Sequence, residues 1–209
     1  MEDSWMEYTV RDFQAALASS SPTPGGGTAA AIALGQAAAL SIMVCDLTLG
    51  NEKWKEGWPN CEKLLPIAVK TMSRAGNLAD EDSRAFDGVM DSFKLPKQTD
   101  EEKSIRKDAI RKNTLKAALV PLETAKSSLE IIKLLPDLAK YGNQNAISDV
   151  GVASLLASAA CKGALFNVQI NLSSLPDGYA DDVSKDSITI MDSCRAISRE
   201  VMDIIKERI

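Results

Sequence analysis

A run of 21 residues from Gly25 to Cys45 contains no charged side chain, and it constrains the fold more than any other feature. The run is long enough to cross a bilayer as a helix. It is dominated by Ala and Gly and carries Gln36 and Ser41 in its interior, so its transfer into lipid would be only weakly favourable. We therefore expect a helix buried on all sides within a protein, and no membrane partner.

Strand signals are nearly absent, because β-branched and aromatic residues never alternate with polar ones over a convincing run. Helical periodicity instead recurs along most of the chain. The sequence predicts an all-α fold, a single-domain bundle of long helices over residues 1–209, with a kink at Pro121. The predicted helices run approximately over Thr9–Leu17, Gly25–Leu49, Asn60–Leu95, Thr99–Leu135, Ser148–Asn171 and either Gly178 or Asp181 to Lys206.

Charge and composition narrow the possible partners and chemistry. The 24 basic residues are outnumbered by 29 acidic ones, which argues against a nucleic-acid surface and favours a small molecule or a protein as partner. The sequence contains no histidine, so His-ligated zinc, a Ser-His-Asp triad and an imidazole acid or base are all excluded. Catalysis would have to use carboxylates, Lys, Cys, Tyr, amides or backbone groups.

The cysteines and the N-terminus indicate the compartment. The four cysteines lie far apart without Cys-x-x-Cys spacing, so we expect reduced, buried thiols and no metal site. The segment Met1–Trp5 is acidic where a secretory signal would be basic. Both features predict a cytoplasmic protein.

Asp82 is the most conspicuous acidic residue in the chain. Helical spacing places it on one stripe with Leu78, Phe86, Val89 and Phe93. A carboxylate on an apolar face must be paired or have a shifted pKa, and both situations are enriched at functional sites. The alternative is a structural carboxylate bonded to a neighbouring helix N-terminus or to an Arg.

Two polar loops each lead into a helix of small residues. In the first, Gly25, Gly26 and Gly27 allow a ligand to lie close against the backbone at a helix start, although the loop lacks the Gly-Lys-Ser/Thr ending of a P-loop. The second loop contains the polar residues Asn143, Gln144, Asn145, Ser148 and Asp149.

The second loop supplies amide donors and acceptors for a planar heterocycle. The default role of Ser148 or Asp149 is to cap the helix that follows. Asn167 shares a helix face with Asp149 but stands roughly 27 Å away along the axis, so one ligand touching both would need another chain or a bent geometry. Asn171 is expected to cap the C-terminal end of that helix.

Taken in order, these segments resemble the formiminotetrahydrofolate cyclodeaminase and methenyltetrahydrofolate cyclohydrolase family. The resemblance covers nearly the whole chain. It rests on the segments Pro24–Ala30, Asp82–Phe86, Leu95–Pro96, Ala118–Pro121, Gly142–Gly151 and Asn167–Leu172.

The resemblance implies an all-helical homodimer and a folate one-carbon reaction that uses no metal and no separate cofactor. A cyclohydrolase adds water to the carbon of 5,10-methenyltetrahydrofolate to give 10-formyltetrahydrofolate. A cyclodeaminase closes the ring of 5-formiminotetrahydrofolate and releases ammonia. The 209 residues contain no formiminotransferase domain, which favours the cyclohydrolase, and a folate-binding helical protein without turnover is a further alternative.

On the resemblance, the glycine loop maps to Gly25–Gly27 and the amide loop to Asn143, Asn145, Ser148 and Asp149. We expect Asp82 and Asp149 to act as acid, base or cation stabiliser. The amides, with Asn167 as a further candidate, are expected to contact the pterin, and Lys53 the glutamate tail. The expectation that unites these assignments is a common cleft for Asp82 and Asp149, within one subunit or across two.

Overall fold

The computed structural model describes residues 4–209. Glu2 and Asp3, on which the compartment prediction partly rests, lie outside the described residues. The described chain consists of helices and connections, without a strand, and confirms the all-α prediction. The α-helices are α1 Val10–Leu17, α2 Gly26–Thr48, α3 Trp58–Lys94, α4 Asp100–Ile132, α5 Leu135–Tyr141, α6 Ile147–Leu172 and α7 Asp181–Arg208, and the 3-10 helices are Trp5–Glu7, Glu52–Gly57 and Gln144–Ala146.

Local sequence signals account for several helix boundaries. Thr99 begins α4 with a capping box, in which its hydroxyl accepts from the Glu102 amide and the Glu102 carboxylate accepts from the Thr99 amide. The structure shows α4 continuing through Pro121 as one helix, and ending at Ile132 rather than near Leu135. The residues from Leu135 onwards form the separate short helix α5.

Helices α2, α3, α4 and α6 form the bundle, with α2 packed against α3 and α6, and α4 packed against α3 and α6. Helix α7 packs on α6 and α4. Helices α2 and α6 run antiparallel, because Gly26 at the start of α2 faces Asn167 near the end of α6, whereas Leu47 at the end of α2 bonds Asn143 just before α6. The two ends of this helix pair are therefore far apart.

The prediction that the uncharged helix is buried on all sides is wrong for the isolated chain. Most small residues of α2 are buried, but Met43 and Leu47 are 38% and 49% exposed. Both α2 and the segment Gln144–Leu172 are long and apolar enough to cross a membrane, and each is about half buried in the bundle, at 50% and 56%. The exposed half lies on a face that α3, α4 and α7 leave uncovered.

The four cysteines are all free and buried, which confirms the prediction of reduced core thiols. They lie in pairs between adjacent helices: Cys45 of α2 beside Cys61 of α3, and Cys161 of α6 beside Cys194 of α7. Their small side chains contribute to close packing of these helices.

Candidate active site

Asp82 projects from α3 onto the first turn of α2. A Cβ atom placed on Gly27 would stand 2.3 Å from the Asp82 carboxylate, so only glycine permits this approach. The Thr28 hydroxyl donates to Asp82 Oδ2 at 3.1 Å, and the Thr28 backbone amide also bonds this carboxylate. Gly27 and Thr28 thus form a close-fitting binding surface for the Asp82 carboxylate.

The environment of Asp82 acts on its protonation in two opposite directions. Burial raises the pKa of this carboxyl above its ordinary value, because the charged form loses hydration. The hydrogen bonds from Thr28 lower the pKa but do not offset the effect of burial. Asp82 therefore ionises less readily than a surface aspartate, in the direction expected for an acid–base group working near neutral pH.

Asp82 also has a structural role, and here the alternative drawn from the sequence is realised. The N-cap residue of α2 is Gly25, which has no side chain to bond the free amides of the first turn. Asp82 supplies that acceptor from α3, and its negative charge lies at the positive end of the α2 dipole. The carboxylate joins α3 to α2 and remains the best-placed acid for chemistry.

A directed chain of hydrogen bonds leads to Asp82 from the N-terminal segment. Trp5 Nε1, which can only donate, bonds Ser83 Oγ at 2.9 Å. Ser83 Oγ and Thr28 Oγ1 are 3.1 Å apart. Because an ionised carboxylate only accepts, Thr28 donates to Asp82 and Ser83 donates to Thr28. The donor and acceptor of each hydrogen bond in this series are thus fixed while Asp82 is ionised.

Replacing Thr28 with Val should raise the pKa of Asp82 further, because the variant lacks a donor that favours the charged form. The lost hydrogen bond at this buried position should also cost about 1–3 kcal/mol of unfolding free energy. Carbon-13 NMR titration of labelled aspartate measures the pKa directly. Thr28→Ser, which keeps the hydroxyl, should leave the pKa near that of the parent, and an equal pKa in the Val variant would contradict the assignment.

The other residues predicted at the start of α2 differ in how closely neighbouring atoms approach them. A Cβ on Gly25 or Gly26 would make ordinary contacts, at 3.7 and 3.8 Å, so Gly27 alone of the three is required to be small by its neighbours. The atom nearest to such a Cβ on Gly26 is Asn167 Nδ2, which places Asn167 beside the glycine loop. Asn167 Nδ2 donates to the Gly163 carbonyl of its own helix at 2.9 Å.

The amide loop lies at the opposite end of α2. The Asn143 amide donates to Thr48 Oγ1 at 3.0 Å and its Nδ2 donates to the Leu47 carbonyl at 2.9 Å, so Asn143 closes the C-terminal end of α2. Its Oδ1 accepts from the Asn145 amide at 3.0 Å. The side chains of Asn145 and Ser148 are exposed and available to a ligand.

The capping roles predicted for α6 are wrong. The N-cap of α6 is Ala146, and neither Ser148 nor Asp149 caps the helix; Asp149 lies partly exposed in the first turn. Asn171 does not cap the other end, where the C-cap is Ser173. Instead Asn171 Nδ2 donates to the Ala117 carbonyl of α4 at 3.0 Å, which joins two helices that no local pattern could relate.

Lys53 belongs to the amide-loop end. Its Nζ lies 4.6 Å from the centre of the Trp54 ring, in an open groove of about 550 Å³ that Lys140, Tyr141 and Arg208 also line. Cations beside aromatic rings suit a ligand that carries both a ring and carboxylates.

Within one chain the predicted site residues form two separate groups. The first group, at the start of α2, contains Gly25, Gly26, Gly27, Asp82 and Asn167. The second, at the end of α2, contains Lys53, Asn143, Asn145, Ser148 and Asp149.

About 21 residues of α2 separate Gly27 from Thr48, which is roughly 30 Å along the helix axis. The two carboxylates therefore share no cleft within a single subunit.

Trp5, Thr28 and Ser83 are the residues of this site that sequence analysis missed. Thr28 ends the glycine loop and Ser83 follows Asp82, so their proximity to candidate residues was the available signal. Trp5 carried none, because its bond to Ser83 spans 78 positions of sequence. Among residues 4–209, no group of three or more Cys, Asp or Glu side chains is arranged to hold a metal ion.

Comparison with known proteins assigns the chain to a family. A family model described as formiminotransferase-cyclodeaminase matches residues 9–189. The chain belongs to the formiminotransferase-cyclodeaminase family. Both groups of candidate residues lie inside the matched range.

Named relatives within the formiminotransferase-cyclodeaminase family divide between two activities. A methenyltetrahydrofolate cyclohydrolase of Methylorubrum extorquens is 37% identical over 202 residues, covering 96% of this chain and 97% of that protein. A formimidoyltransferase-cyclodeaminase of Mus musculus is 33% identical over 84% of this chain, but the chain spans only 32% of its length. The crystal structure of a formiminotetrahydrofolate cyclodeaminase from Thermotoga maritima superposes with a TM-score of 0.79 at 24% identity, covering 97% of this chain and 96% of that one, so the two share the fold.

Proposed function

We propose that the protein is a methenyltetrahydrofolate cyclohydrolase. The observation that carries the proposal is the end-to-end match to a relative of that name, which is 37% identical with 96% and 97% of the two chains covered. The site agrees with the chemistry, since a half-buried carboxylate of raised pKa stands at a glycine-lined helix start. The reaction needs no more than water, a proton acceptor and a proton donor.

Asp82 fits both proton transfers of this reaction. As a base it takes a proton from water while the oxygen adds to the methenyl carbon, and the positive amidinium becomes a neutral tetrahedral adduct. The protonated Asp82 then delivers that proton to N5 as the C–N5 bond breaks, and loss of the hydroxyl proton leaves 10-formyltetrahydrofolate, with one proton released overall. The negative carboxylate also stabilises the cationic substrate before attack.

Cyclodeaminase activity is the second candidate, supported by relatives of that name at 30–33% identity. It would use the same carboxylate to protonate the departing ammonia. The lower identity of those relatives makes this the weaker match.

Two assays with purified protein separate the candidates. We expect the absorbance of 5,10-methenyltetrahydrofolate to fall faster with the protein than in buffer alone. We expect no ammonia from 5-formiminotetrahydrofolate. Ammonia release without methenyl hydrolysis would reverse the assignment, and binding of folate without either reaction would replace it with a non-catalytic folate-binding protein.

We further propose that the enzyme is a homodimer joined through the exposed face of α2 and α6. Large apolar side chains stand in solvent along this face, and exposed patches of this kind mark contact surfaces. They are Met43 and Leu47 of α2 and Val152, Phe166 and Ile170 of α6, with exposures from 38% to 69%.

A two-fold axis that lies in the α2–α6 interface, at right angles to the helix axis of α2, would unite the separated groups. Two-fold dimers bury the same patch of both subunits, and such an axis opposite the middle of α2 places the start of α2 against the end of the partner's α2. The group around Asp82 and Asn167 would then meet the partner's amide loop. One folate could contact both groups, with its pterin near Asp82 and its glutamate tail near the partner's Lys53.

Val152→Lys tests this interface. Each dimer would contain two buried, unpaired lysines, so we expect dimer dissociation to be favoured by at least about 10²-fold and turnover to fall with dimer content. Sedimentation velocity over a range of protein concentrations measures the shift. Val69→Lys on α3, where the parent valine is 49% exposed against 46% for Val152, is the matched control and should leave the dimer intact. A Val152→Lys protein that stays dimeric would refute this interface.

The proposal includes a cytoplasmic location and no metal or separate cofactor. The free, buried thiols suit a reducing compartment. Unaltered activity after prolonged dialysis against a chelator is the expected result for the second point.

A further inference from the structure

A second open groove, about 530 Å³ in volume, runs between α6 and α7, away from the Asp82 carboxylate. Four cations line it: Lys162 of α6, and Arg195, Arg199 and Lys206 of α7. Among the described residues, one carboxylate lines the groove, that of Asp203. The groove thus carries an excess of three positive charges in a chain whose net charge is -5.

The lining cations are largely free to bind a ligand. Among residues 4–209, Lys162 and Arg199 form no ion pair within 4 Å. Arg195 lies 3.6 Å from Asp192 and Lys206 lies 3.5 Å from Asp203, both as long, exposed pairs one turn apart. Exposed pairs of this kind contribute little and yield readily to a better anion.

A buried hydroxyl on the groove wall supplies an independent sign of a ligand. Ser154 lines the groove, is 1% exposed, and its Oγ makes no hydrogen bond within the described chain. Buried hydroxyls are nearly always bonded, because an unsatisfied one loses its hydration without compensation. Unlike other buried serines of the helices, such as Ser41 and Ser128, it does not bond the carbonyl four residues back.

The spacing of the cations indicates the shape of the anion. Arg195, Arg199 and Lys206 stand at positions i, i+4 and i+11, which share one face of α7. They span about 16 Å along the helix axis. A single phosphate or carboxylate cannot reach all three, whereas a chain of repeated anionic groups can.

We propose that the α6–α7 groove binds an extended oligoanion, and that the enclosed Ser154 hydroxyl rotates about its Cα–Cβ bond to donate to one of its oxygens. The chemistry fits a short chain of carboxylates or of phosphates. A γ-linked oligoglutamate and a linear polyphosphate are the two sources to distinguish.

Calorimetry tests the proposal without requiring turnover. Tetra-γ-glutamate and tripolyphosphate are each titrated into the full chain, with glutamate and orthophosphate as short counterparts. We expect one-to-one binding of at least one oligoanion, at least about tenfold tighter than its short counterpart, and the tighter of the two identifies the source. Absence of binding, or equal affinity for the short anions, would overturn the proposal.

Two variants locate the binding site. Arg195→Gln with Arg199→Gln should weaken binding by at least about tenfold, whereas Lys107→Gln with Arg111→Gln, an equal charge change in another groove, should not. Ser154→Ala should also weaken binding while leaving the melting temperature of the free protein unchanged or higher, because its hydroxyl has no partner to lose. Equal losses in the two double variants would reduce the effect to net charge and refute the site.

Discussion

Asp82→Asn should reduce cyclohydrolase turnover by about 10²-fold or more, because an amide can neither take the proton from water nor return one to N5. The fold should persist. Asn is nearly isosteric, and its carbonyl oxygen can still accept from the Thr28 hydroxyl and amide. Initial rates of methenyltetrahydrofolate hydrolysis, with circular dichroism of the same samples, provide the measurement.

Stability should move in the opposite direction from activity. The pKa of Asp82 is raised in the folded protein, so its ionised form destabilises the folded state at pH values above that raised pKa. This cost disappears as the pH falls through the raised pKa towards the ordinary value of 3.8. The Asn variant should thus be as stable as the parent or more so at neutral pH, with the difference shrinking in acid.

Asp91→Asn is the matched control for this substitution. Asp91 lies on the same helix, is exposed and pairs with Lys94 at 2.8 Å, so its loss should change neither turnover nor stability appreciably. Parental turnover of Asp82→Asn would show that Asp82 has no catalytic role and serves only as the hydrogen-bond acceptor at the start of α2.

Mixing two inactive variants should restore activity if the site is shared. Asp149→Asn is a suitable second variant for this test. Because Ala146 is the N-cap of α6, the substitution at Asp149 removes no helix cap. In a mixed dimer one site would carry both substitutions and the other neither. Random subunit exchange makes half of the dimers mixed, so the mixture should recover about a quarter of parental turnover.

The two variants can also carry different tags, be co-expressed and be purified through both tags, which yields mixed dimers alone. The expected turnover of this sample is about half of the parental turnover. Each variant exchanged with itself is the control and should stay inactive. Parental turnover of Asp149→Asn alone would remove Asp149 from the chemistry. Two inactive variants that fail to complement would show that both carboxylates serve one subunit's site, against the separation of roughly 30 Å along α2.

Local patterns were sufficient for the long helices, although they extended α4 to Leu135 and missed α5. The Thr99–Glu102 capping box begins α4 where it was predicted, since a cap depends on residues three apart. The stripe containing Asp82 was also informative, because a carboxylate among apolar residues needs a partner wherever the helix packs. The same stripe also predicted an apolar buried face for Phe86 and Phe93, but these side chains are 40% and 50% exposed.

The sequence by itself determined an all-α bundle, a glycine-lined helix start and an acid at a half-buried position, since periodicity, capping and burial depend on near neighbours. Only the tertiary structure decided which groups meet. The antiparallel pairing of α2 and α6 sends the amide loop to the far end from Asp82, and the contacts of Trp5 with Ser83 and of Asn171 with Ala117 join residues 78 and 54 positions apart. Such contacts arise from how whole helices pack, and no local pattern records them.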